Sequence, residues 1–368
     1  MLESLVGKIF ILLIFVVGAV NLAIPDSGQA AGSGLSVGNV MRGSFMEQWE
    51  ENMSDQFFGK SMLLRVKAAM DRFGGSRLEN GIYIGQGGQL LEEIEVADDR
   101  RLSASLDAIK SYTETYPDVS ATVMLIPDAA CVMSDSLPAF AAVEDQRQLF
   151  GMVERELGDA VQWVDAVSAM NEHASEKLYY KTDDRWTTLG AFYVFQAAAP
   201  TLGIEENVSD DFVSYTVTDS FTGALATRSG VGLSEREQID IYVPAEGDDD
   251  VVVSYVDESR KTTSLYDSSK LDTKDKYDVF LGGDTSLVDI RTVSTSEKRL
   301  LVVRDSFADC FIPFLAPYYR EIVVVDPGLY SGTIADIMDT YRITDMLILY
   351  SGNSFFTDNH ISGVFTGE

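Results

Sequence analysis

From Leu5 to Ile24 the chain is almost wholly apolar, broken by Lys8 and Asn21 and ended by Pro25-Asp26. That is about the length needed to cross a ~30 Å hydrocarbon layer. Lys8 and the α-amino group lie on the short side, which predicts N-in, C-out. Two readings fit: an uncleaved anchor, or a signal peptide with the small residues Gly28 and Ala30 placed for cleavage. Both export the rest of the chain. Residues 1–25 are therefore predicted as a transmembrane anchor or signal segment. Residues 26–40, rich in Gly, Ser and Ala, are predicted as a linker.

After the linker the spacing becomes helical over 41–74, where Phe45, Trp49, Met53 and Phe57 recur at four-residue steps. A hairpin comes next, with Ile82 to Ile84 and Leu90-Leu91 flanking Gln86-Gly87-Gly88. Short apolar runs then alternate with amphipathic stretches. Strands are predicted at 121–126, 161–164, 300–303, 321–325 and 346–350, and 178–180 reads as extended. Helices are predicted at 102–115, 146–157, 187–199, 307–316 and 334–341. Five such strands imply an α/β fold with a mostly parallel sheet and helices on both faces. Residues 203–277 differ, with β-branched runs at 212–217, 239–243 and 251–256 between acidic clusters. They predict an antiparallel β insertion, largely solvated. Asp248-Asp249-Asp250 lacks the spaced ligands and turn Gly of an EF-hand, so it reads as a solvated loop.

Composition narrows the function. The 58 acidic and 28 basic residues leave a formal charge of −30. Such a chain cannot neutralise a phosphate backbone, which excludes nucleic acid as a partner. It also excludes electrostatic docking on anionic lipid. The two cysteines, Cys131 and Cys310, match no zinc spacing. Two buried thiols are expected, with a disulfide as the alternative. Neither a metal nor a cofactor is called for. The two histidines, His173 in a polar turn and His360 in the C-terminal tail, leave little imidazole for acid–base work.

Ligands in parallel sheets sit beyond the carboxyl ends of strands. Three polar segments fall there: Tyr179 to Thr187, Arg304-Asp305-Ser306 and Ser351-Gly352-Asn353. Ser306 at a strand-to-helix turn can be an exposed nucleophile, or Asp305 can simply cap the following helix. Arg185 can pair with Asp183 or Asp184, or anchor an anionic ligand. Tyr179, Tyr180 and Trp186 can stack on sugar rings or pack in the core.

The run Tyr179 to Ala191 (YYKTDDRWTTLGA) resembles the signature of the DHHW-motif proteins of Gram-positive bacteria, as do 49–59, 81–91, 221–223, 280–283 and Asp305 to Phe314 (DSFADCFIPF). These are extracytoplasmic relatives of the alginate O-acetyltransferase SGNH-hydrolase-like proteins. The resemblance implies one SGNH-like domain over 41–368. It also implies an Asp-His-Ser triad, with Asp183 as the Asp and Ser306 as the nucleophile. The family's His position is Arg185 here, and its neighbouring His is Asp184. Gly283, Asp284, Asn353, Trp186 and Tyr180 are candidates for oxyanion or substrate contacts, with Asp284 standing where the family has Asn.

Arg cannot act as the base, because it offers donors only and stays protonated. Loss of a triad base costs on the order of 10⁶-fold in rate. The expected function is thus an exported, membrane-anchored protein of envelope or exopolysaccharide O-acetylation, with its catalysis impaired. One alternative is an active O-acetyltransferase or acetylesterase in which Ser306 uses another base. The other is a non-catalytic partner of a membrane-bound O-acyltransferase. Envelope polysaccharide is the implied ligand. Asp183, Arg185 and Ser306 are expected at one end of the sheet, with Asn353 near them.

Overall fold

The computed structural model describes residues 78–96, 98–204, 207–246 and 250–367. The apolar run at 5–24, the linker and the predicted helix over 41–74 lie outside them. Among the described residues no helix is long and apolar enough to cross a membrane.

The first strands form a small antiparallel sheet of β1 (Leu78–Glu79), β2 (Ile82–Ile84) and β3 (Leu90–Glu92). The turn between the last two passes through Gly87 and Gly88 at φ 64° and 82°, a region that favours residues without a Cβ. Next come β4 (Ser120–Ile126) and β5 (Gln162–Trp163). The insertion holds β6 (Phe212–Phe221), β7 (Glu237–Pro244), β8 (Val251–Tyr255) and β9 (Arg260–Thr262). The chain ends on β10 (Leu287–Thr292), β11 (Arg299–Arg304), β12 (Glu321–Val325) and β13 (Asp345–Ser351), with short helices after the last strand.

Eight of these strands form one sheet in the order β5-β4-β13-β11-β12-β10-β8-β9. It is parallel from β5 to β12 and antiparallel beyond. Alternation along the strands sends side chains to two cores. Val123, Leu125, Leu301, Val303 and Ile348 meet the helices Asp99–Thr115, Gln146–Leu157 and Ile334–Tyr341. Met124, Ile126, Leu300, Val302 and Leu347 meet the helix Thr188–Ala198 and the aromatics Trp186, Phe311 and Phe314. Each fully buried aliphatic side chain contributes roughly 1.5–3 kcal/mol, which is why these strands lie at the centre.

The insertion is antiparallel and β6 is mostly exposed, while β8 and β9 extend the central sheet and β6 pairs with β7 to bury Phe212, Phe221 and Ile239. One expectation is corrected. The helix expected over 307–316 is a 3₁₀ turn, Ser306–Ala308, and a separate short helix, Ile312–Leu315. Pro313 has no N–H to donate back along a continuous helix. The two cysteines are free thiols, the expected state, with Cys310 buried and Cys131 half-buried.

Candidate active site

The segment 180–185 is a loop pinched at its base, where Tyr179 bridges Trp186 and the Thr187 N–H donates to the Leu178 carbonyl at 2.8 Å. The insertion grips its outer side. The Glu237 carboxylate accepts the N–H groups of Lys181 (2.9 Å) and Thr182 (3.0 Å) and the Thr182 hydroxyl (2.7 Å). The Gly223 N–H donates to Thr182 Oγ1 at 2.9 Å, and the Ala224 N–H to Asp183 Oδ2 at 2.8 Å. A Cβ on Gly223 would stand 2.3 Å from Asp183 Cβ, so only glycine lets the two backbones approach this closely.

Inside the loop Asp183 is fully buried, and Arg185 forks onto it. Arg185 Nε reaches Oδ1 at 2.6 Å and Nη2 reaches Oδ2 at 3.0 Å. Nη2 also bonds Asp275 (3.0 Å), and the guanidinium lies 4.0 Å from the centroid of the Tyr277 ring. Burial alone would raise the Asp183 carboxyl. The Arg185 charge, its hydrogen bonds and the Ala224 N–H outweigh burial and hold the carboxyl below its ordinary value. Burial first, then the Asp183 charge, push Asp184 the other way. Position 185, where the motif resemblance implies a base, is thus a closed ion pair. Asp183 has both oxygens engaged, and Arg185 has no lone pair.

Ser306 follows β11, as its sequence context implied. Asp305 caps the turn: its carboxylate accepts the Phe307 N–H (3.1 Å) and the Ser351 N–H (3.0 Å) and hydroxyl (2.8 Å). Capping is therefore one real role of Asp305-Ser306. The other remains available, because Ser306 is half-buried and lines a cavity of about 380 Å³. Asp284 lines it too, together with Arg304, Tyr350, Asp358 and His360.

The predicted site residues separate into three groups. Ser306 and Asp284 share the cavity. Asp183 and Arg185 do not line it; their loop meets the Ser306 turn at Trp186, whose indole donates to the Phe307 carbonyl at 2.8 Å. The Arg185 charge also acts on Asp309, a buried carboxyl that desolvation pushes up to about 7. The third group is occupied elsewhere. Trp186 and Tyr180 are core residues, 0% and 1% exposed, with no face for a sugar. The Asn353 amide donates to the Glu93 carbonyl and accepts the Glu95 N–H, both at 2.9 Å. The Gly283 N–H donates to the Phe280 carbonyl at 3.3 Å. Sequence reasoning missed Glu237 and Asp275, which carry no motif and act only through the loop they hold. His173 stacks on Tyr193 with ring centroids 3.5 Å apart and bonds Glu176, so it stays at the surface.

The family model of the DHHW proteins matches residues 115–325. The chain belongs to the DHHW family. Its fold is similar to that of a DHHW family protein from Eubacterium siraeum, with a TM-score of 0.65 and 20% identity over 78% of this chain and 96% of that one. It is also similar to Bacillus cereus PatB1, solved with a sulfonyl adduct, with a TM-score of 0.64 and 19% identity over 76% of this chain and 96% of that one. No curated protein matches the chain. Within the DHHW family this member departs at the motif itself, reading Asp183-Asp184-Arg185-Trp186.

Proposed function

We propose that this DHHW protein is an exported, membrane-held SGNH-hydrolase-like component of envelope-polysaccharide O-acetylation, and that its inherited acid–base position is silent. The bidentate Arg185–Asp183 pair carries this reading. A triad Asp must accept a proton-bearing imidazole to orient it. Here both oxygens already hold a guanidinium that cannot give up its proton. The polysaccharide part rests on the resemblance of the motif blocks to extracytoplasmic O-acetyltransferase relatives. The export part rests on the apolar run before Pro25. A membrane-bound O-acyltransferase is the natural source of the acyl group.

The test uses the full-length chain in detergent. Retention on isolated wall polysaccharide, native and chemically de-O-acetylated, is expected; absence of retention on both removes the polysaccharide reading. Any acetyl-ester turnover should survive Asp183→Asn. A fall in kcat near ~10⁴-fold in the folded variant, the cost of a wrongly oriented triad base, would show that the family position still works.

A further inference from the structure

The cavity beside Ser306 holds an imidazole that the DHHW motif does not supply. His360 stands between β13 and the C-terminal helix Ile361–Thr366, and its side chain is 56% exposed. It shares the 380 Å³ cavity with Ser306 and Asp358. His360 Nδ1 lies 3.7 Å from Asp358 Oδ1, and that carboxylate also accepts the His360 and Ile361 N–H groups. Asp358 is thereby fixed beside the ring. If Nδ1–H faces Asp358, the lone pair sits on Nε2.

Two buried polar groups stand behind the cavity wall. Arg304 is 1% exposed and in the cavity wall; its Nη1 bonds Asp326, while among the described residues its Nη2 has no hydrogen-bond partner. The Tyr350 hydroxyl, in the same wall and also buried, has none either. An unpaired buried donor is costly, by ~1–3 kcal/mol, unless something bonds it.

We propose that His360 is the general base of Ser306, positioned by Asp358, in a site that takes acetyl esters of polysaccharide. The inference rests on the silent-position reading, because it supplies the base that the Arg185–Asp183 pair withholds. Ser306 Oγ attacks the acetyl carbonyl while its proton passes to His360 Nε2. The carbonyl oxygen becomes the oxyanion of the tetrahedral intermediate. Collapse breaks the C–O bond to the sugar, and His360 returns the proton to the leaving oxygen. Water or an acceptor hydroxyl then attacks acetyl-Ser306, giving its proton to His360, and Ser306 recovers that proton as the acetyl group leaves. Asp358 stabilises the imidazolium formed in each half. The loose Nδ1 to Asp358 distance suits a site that tightens on substrate.

The experiment measures p-nitrophenyl acetate hydrolysis, and Ser306 labelling by a fluorophosphonate, on the full-length chain in detergent. Turnover should vanish in Ser306→Ala. It should fall ~10²–10⁴-fold in His360→Gln. His173→Gln should match wild type. Asp358→Asn keeps the backbone acceptor, so it should lower kcat at unchanged KM. All variants are checked by thermal melting, and His360, being exposed, should tolerate substitution. If wild type neither hydrolyses the ester nor labels at Ser306, or if turnover survives His360→Gln, the proposal is overturned while the silent-position reading stands. If turnover is instead lost in folded Asp183→Asn and kept in His360→Gln, both readings fall.

Discussion

Arg185 holds its loop together through the bidentate pair with Asp183. Taking the guanidinium away would strand a buried carboxylate, a change that costs roughly 3–5 kcal/mol in comparable pairs. The pair is therefore structural, and Gly223 is part of the same construction. Its backbone passes so close to Asp183 that an added Cβ would sit 2.4 Å from Oδ2. The φ of Gly223 is −86°, so its conformation suits any residue and the constraint is steric alone. Gly223→Ala should then push the loop away from the insertion and break the Ala224 N–H bond to Asp183. The expected cost is about 1–3 kcal/mol, the usual range for overpacking, read as a lower urea midpoint at unchanged slope. A Gly223→Ala variant as stable as wild type would mean that the insertion does not grip the loop.

At the scale of elements, the strands that carry the site were plain in the sequence, because β4, β11, β12 and β13 are buried on both faces and read as continuous apolar runs. β10 was not, since Asp289 and Arg291 interrupt its Leu287-Val288 and Ile290 positions and pair with charged neighbours on the sheet instead. The motif placed Ser306 at a strand end correctly but could not show Asn353 and Trp186 already bonded elsewhere. His360 had no motif at all; only the fold brings the tail to the Ser306 turn. The strand ends also set a pH dependence. Asp128 follows β4 and Asp309 follows β11, and burial pushes both up to about 7. An acid with a raised folded value binds its proton more tightly in the native chain. Its contribution is full below the ordinary carboxylate range near ~4 and is lost as pH rises through about 7. Unfolding free energy should therefore fall between about pH 4 and 7, by at most about 1.4 kcal/mol per pH unit for each group. Asp128→Asn should flatten that slope in urea titrations; an unchanged slope would remove Asp128 as a contributor.

Over the whole molecule, the formal charge of −30 decides how the protein can meet a membrane. An anionic bilayer repels such a body, so in the proposed membrane-held form attachment would come from the apolar run between Leu5 and Ile24 and not from the domain. The same repulsion helps keep the domain soluble and apart from other acidic surfaces. Lys8 lies on the short side of that run, with no compensating cluster of basic residues just after it, and the proposed export therefore predicts an outward-facing body. Protease added to intact, wall-stripped cells should accordingly digest the domain, and full protection would reverse the topology. High salt should leave the chain in the membrane fraction, because screening weakens only electrostatic attachment, whereas detergent should release it. Recovery of the chain in the medium, starting after Gly28 or Ala30, would instead identify the run as a cleaved signal and leave the domain free to act at a distance from the bilayer.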